Sequence, residues 1–141
     1  MEKIYSKAQP DLLLHVIFRF QDFDRPRNEI LEAHNFLQSA AVRVNEGDRF
    51  RPHKHIKKEI IRKYEKTQEC WVVIRGVIKC ELYDTDDTLL EKIVIGEGDA
   101  CYTLHGGHTF MALEDHTCIL EFKSSPYEGQ ARDKVFINDR I

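Results

Sequence analysis

The chain has 141 residues, 42% of them hydrophobic and 32% charged, a balance that suits one soluble globular domain and excludes a disordered chain. A formal charge of -3 and a sequence pI near 6.2 leave no overall basic footprint, so composition argues against a nucleic-acid partner. His15 and Arg19 interrupt the apolar run 12–20, which excludes a signal peptide or a membrane span and makes the cytoplasm the expected compartment.

Short runs rich in β-branched and aromatic residues dominate, and they predict an all-β domain. In chain order the predicted strands are 12–20, 36–44, 50–56, 69–75, 77–83, 89–95, 100–104, 109–113 and 118–123. Turn chemistry separates them: Asn45-Glu46-Gly47-Asp48, Arg75-Gly76, Asp84-Thr85-Asp86-Asp87, Gly96-Glu97-Gly98-Asp99, Gly106-Gly107 and Glu114-Asp115. The segment 57–66, KKEIIRKYEK, sets Ile60, Ile61 and Tyr64 at near-helical spacing, but its charge density marks a surface insertion. Strands closed by tight turns suggest a barrel or sandwich in a single domain 1–141, with an N-terminal strand region 1–35, a barrel core of about 36–123 and a C-terminal extension 124–141 that wraps back. Cys70, Cys80, Cys101 and Cys118 lack any CxxC pairing and sit in apolar runs, so buried reduced thiols are expected.

Gly47-Asp48-Arg49-Phe50-Arg51-Pro52-His53-Lys54-His55 carries the most chemistry. Residues two apart on a strand share a face, so His53 and His55 would present both imidazoles to one point, an arrangement that suits a divalent transition metal. A polar outward face accounts for the pair as well. Arg51 follows the same parity and would reach a carboxylate or phosphate of a ligand, with a surface salt bridge as its plainer role. Glu69 opens an apolar strand ending in Gly76 and would face inward with Trp71, where it needs a cation or a hydrogen-bond partner. His108 follows the Gly106-Gly107 turn, and His105 stands three residues before it. Glu121 and Lys123 share a face with Ile119, either lining a polar pocket or meeting solvent.

Gly47, five residues, His53-x-His55, then Glu69, six residues and Gly76 resemble the first cupin motif, and the region 98–108 resembles the second. Leu120-Glu121-Phe122-Lys123, Pro126-Tyr127 and Asp133-Lys134-Val135-Phe136 are similar to the ending of WbuC-type cupin fold metalloproteins. The resemblance implies a jelly-roll β-barrel that ligates a metal through His53, His55, Glu69 and His108. The 13 residues between His55 and Glu69 exceed the usual cupin spacing, which Glu59 fits better. Glu69 is preferred because an apolar strand and Gly76 follow it. The second motif lacks its usual proline, and Ala112 stands where many cupins carry asparagine.

Three nitrogens and one carboxylate leave open positions on an ion, which favours a ligand or a reaction over a structural staple. Together with these open positions, the resemblance to WbuC-type proteins implies a divalent-metal-binding cupin, with Zn, Fe, Mn or Ni, acting on a small polar or sugar-derived substrate by isomerase or epimerase-type chemistry. The alternatives are Fe-dependent oxygenation of a small acid and a non-catalytic small-molecule-binding module. His105, Glu121 and Tyr127 are the candidate catalytic residues, and Arg51, Trp71 and Lys123 the candidate substrate pocket. A homodimer is expected, with the run 12–20 available as an exchanged strand or as a plain barrel edge.

Overall fold

The computed structural model describes residues 1–55, 66–124 and 134–137. Among them the fold is all-β: β1 (Glu2–Tyr5), β2 (Leu13–Phe18), β3 (Arg27–Glu29), β4 (Ala40–Val42), β5 (Glu69–Arg75), β6 (Ile78–Tyr83), β7 (Leu89–Ile95), β8 (Ala100–Thr103), β9 (Gly107–Ala112) and β10 (Cys118–Lys123). One 3-10 turn, Phe20–Asp22, follows β2. No helix among the described residues is long and apolar enough to cross a membrane.

The strands form a five-stranded antiparallel sheet in the order β1-β2-β8-β5-β10, a three-stranded sheet β7-β6-β9 and a two-stranded ribbon β3-β4. Alternation along the strands creates the layers. Trp71 and Val73 of β5, Cys101 of β8 and Ile17 of β2 turn one way and meet Ile78, Cys80 and Leu82 of β6 and Ile93 and Ile95 of β7 in the core between the two larger sheets. Cys70, Ala100, Tyr102, Val16 and Phe18 turn the other way and pack with Ile30 and Leu31. The large sheet is thus buried on both faces over β2, β8 and the first half of β5, and its residues there read as nearly continuous apolar runs.

Several sequence expectations change. No described sheet closes into a barrel. The predicted strand 36–44 shortens to Ala40–Val42, and residues 50–55 lie in no strand. Two short strands, β1 and β3, were not anticipated. Cys70, Cys80 and Cys101 are buried thiols, whereas Cys118 is exposed because it opens β10 at the sheet edge. Segment 57–65, with Glu59, and Tyr127 lie outside the described residues. The expectation that the tail folds back holds locally: Ile137 lies so close over Gly107 that a Cβ there would collide with its Cδ1.

Candidate functional site

Antiparallel register lines up four polar residues across the large sheet: His15 on β2 opposite Thr103 on β8, Thr103 opposite Glu69 on β5, and Glu69 opposite Lys123 on β10. Directly opposed residues share a face, and this one is the face of Trp71 and Ile17, toward the inter-sheet core. From the other sheet, His108 of β9 stands opposite the core residue Leu82 of β6 and faces the same space. One end of the apolar sandwich therefore carries a polar layer.

Within it, His108 Nε2 lies 3.5 Å from Glu69 Oε1, a contact that joins the two sheets. Lys123 Nζ lies 3.3 Å from Glu69 Oε2 and 3.1 Å from Glu121 Oε1. Trp71 donates its indole N–H to Glu121 Oε2 at 3.4 Å and meets His108 edge to face, with ring centroids 4.6 Å apart. Phe110 packs on Trp71 in the same manner at 4.9 Å. Burial alone would raise the Glu69 carboxyl, but the hydrogen bond and charge of His108, the hydrogen bond with Glu121 and the Lys123 ammonium outweigh it and hold it at about 2. Glu69 is thus a buried carboxylate kept ionised. His108 Nδ1 is buried with no hydrogen-bond partner among the described residues.

His15 completes the layer and was missed in the sequence, where it registers only as a break in an apolar run. It is fully buried. Its Nε2 lies 3.1 Å from the Tyr83 carbonyl and its Nδ1 3.1 Å from Thr103 Oγ1. A carbonyl only accepts, so Nε2 carries the proton and Nδ1 accepts from the threonine hydroxyl. Burial pulls the imidazole down to about 4 and the charge of His108 adds to it, against the opposing hydrogen bond to Tyr83, so His15 is neutral at neutral pH.

The structure brings together Glu69, His108, Trp71, Glu121 and Lys123 of the expected site. It does not bring His53 and His55 to them. Those two rings are exposed and stack edge to face at 5.4 Å, with His53 Nδ1 donating to the Arg51 carbonyl at 2.9 Å. Arg51 is exposed. Without a strand over 50–55, the period-two geometry assumed for all three residues does not apply. His105 lies in the turn after β8, half-buried, and its carbonyl accepts from Lys66 Nζ at 3.4 Å. Among the described residues no three His, Cys, Asp or Glu side chains gather as a metal-binding group.

No protein-family model, curated protein or solved structure matches the chain.

Proposed function

We propose that the polar layer between the sheets is the half-built ligand set of a divalent-metal-binding, cupin-like protein that acts on a small polar or sugar-derived molecule. The observation that carries this is the convergence of Glu69 and His108. Two ligand atoms held at about 2.1 Å by one tetrahedral ion stand roughly 3.4 Å apart, and His108 Nε2 and Glu69 Oε1 are separated by 3.5 Å. The donor types fit as well, since imidazole and carboxylate both suit a borderline divalent ion. His53 and His55 would supply the remaining nitrogens from the exposed segment that carries them.

A bound ion would polarise a carbonyl or hydroxyl of the substrate. The protein's own side chains supply the rest. Trp71 and Phe110 wall the layer with aromatic surface, Lys123 offers a cation shared between Glu69 and Glu121, and Glu121 is half-exposed where a group that moves a proton is needed.

The test is elemental analysis of freshly purified protein together with a zinc titration of wild type, His108→Ala and the double variant His53→Ala, His55→Ala. About one equivalent of metal in wild type, lost in both variants with folding intact, is expected. Full metal content in His108→Ala would sink the site. A second reading is favoured by the Lys123 ammonium on Glu69: the carboxylate is already charge-compensated, and the layer binds a small polar ligand without an ion. Metal-free wild-type protein with a saturable sugar-acid isotherm that vanishes in Glu69→Gln would select it.

A further inference from the structure

On the far side of the large sheet's second core, the β3-β4 ribbon and the turn after it form an open pocket of about 320 Å³ whose lining includes Arg27, Arg43 and Arg49. Like charges lining one space repel, and each guanidinium presents several N–H donors in a planar fork that matches an oxyanion. Two of the three are already held in place. Arg27 pairs through Nε with Glu29 Oε1 at 2.5 Å. Arg43 lies over the Phe23 ring, 5.2 Å from its centroid, and donates through Nη2 to the Phe23 carbonyl at 3.3 Å. Arg49 has no carboxylate partner among the described residues.

Asp48 in the lining and Glu29 on Arg27 offset two of these charges and leave the pocket with a net positive charge. Asp48 Oδ2 accepts from the Asn45 backbone N–H at 2.8 Å and from Asn45 Nδ2 at 3.1 Å, so it is engaged in closing its own turn. The rest of the wall is apolar and open to water: Phe50 is 67% and Val44 56% exposed. Side chains of that size left in solvent beside a cationic pocket are suited to the body of an amphipathic anion.

We propose that this pocket is a second ligand site, which takes a small organic oxyanion, a carboxylate or phosphate borne on an apolar or aromatic body. Arg49, whose fork holds no carboxylate, takes the anion with Arg27 and Arg43 beside it, and Phe50 and Val44 cover the body. The site shares no residue with the polar layer of Glu69 and His108, so it takes its ligand in metal-free protein without His108.

Isothermal titration calorimetry of the full chain with phenyl phosphate, inorganic phosphate and benzyl alcohol tests this. Phenyl phosphate should bind saturably, inorganic phosphate more weakly and benzyl alcohol not at all. Losing one charge-assisted fork in Arg49→Ala should weaken phenyl phosphate roughly ten- to a hundredfold, and Arg27→Gln should weaken it in the same direction, with far-UV circular dichroism of both variants unchanged. His108→Ala should bind it as wild type does. Absence of phenyl phosphate binding, equal binding in Arg49→Ala, or loss in His108→Ala would each overturn the assignment. Inorganic phosphate binding as tightly as phenyl phosphate would overturn the organic class.

Discussion

Lys123 and Glu69 stand directly opposite each other on β10 and β5, with Nζ 3.3 Å from Oε2, so a lysine ammonium holds one oxygen of the carboxylate whose other oxygen faces His108. β10 is the edge strand of its sheet, and Lys123 Nζ lies at the same time 3.1 Å from Glu121 Oε1. A cation arriving at Glu69 and His108 would therefore work against a positive charge that Glu121 also holds.

Removing that charge should help a metal. In Lys123→Met the repulsion disappears while the aliphatic stem is kept, and after solvent screening the gain is on the order of 1 kcal/mol, or about fivefold tighter zinc binding. A competition titration against a chromophoric chelator reads it. Weaker zinc binding in Lys123→Met would mean that the ammonium organises the site.

Gly106 is required by close approach. A Cβ there would be driven into both His15 Nε2 and the Tyr83 carbonyl oxygen, the two ends of a part-buried hydrogen bond. Neither end is the tip of a flexible exposed chain, so Gly106→Ala should break that bond or displace the turn. The expected loss is about 2 kcal/mol in urea unfolding. A change within a few tenths of a kcal/mol would show that the turn relaxes freely.

How much of this was legible in the sequence depends on periodicity. β5, β7 and β10 carry the bounds expected from sequence, because each is a short apolar-rich run with turn residues beside it, such as Gly76 in the left-handed region with φ 83° after β5. β1 and β3, with sequences EKIY and RNE, are too short and too charged to show alternation and exist through pairing with β2 and β4. The inward turn of Glu69 was readable from Trp71 and Val73, whereas the direction of Glu121 and Lys123 stayed open until register placed them opposite Trp71 and Glu69. His15 was hidden because an imidazole in an apolar run carries no sign of the carbonyl and hydroxyl that satisfy it.

Asp84 is a buried carboxylate that ties the N-terminal loop to the β6-β7 turn. It accepts from Ser6 Oγ at 2.6 Å, from the backbone N–H groups of Lys7 and Ala8 at 2.6 and 3.2 Å, and from that of Thr85 at 2.7 Å. Burial works against its ionisation, yet the hydrogen bonds from Ser6, Thr85, Ala8 and Lys7 outweigh it and hold the carboxyl below the ordinary carboxylate range. Asp84→Asn should deprive Lys7 and Ala8 of their acceptor oxygen and speed amide exchange there, and Asp84→Ala should lower the melting temperature further. Unchanged exchange at both amides would refute the tie.

The pH dependence of stability near neutrality should belong to His15. Its folded-state value is drawn down from 6.5 to about 4, by burial first and by the charge of His108 next. The unfolded chain takes up a proton below about 6.5 that the folded chain refuses, so stability is full above that pH and falls as the pH drops toward 4. Across that window the loss amounts to about 3 kcal/mol. Carboxylates held low, Glu69 and Asp84, stay ionised in the fold until still lower pH and add their loss only below about 4.5, where unfolded carboxyls begin to take protons. Urea unfolding at pH 7.5, 6.0 and 5.0 should therefore show a midpoint that declines with pH in wild type, and His15→Gln, which keeps hydrogen-bonding capacity but cannot titrate, should be less stable at pH 7.5 yet nearly flat over the same range. A wild-type slope that persists undiminished in His15→Gln would assign the proton uptake to another group.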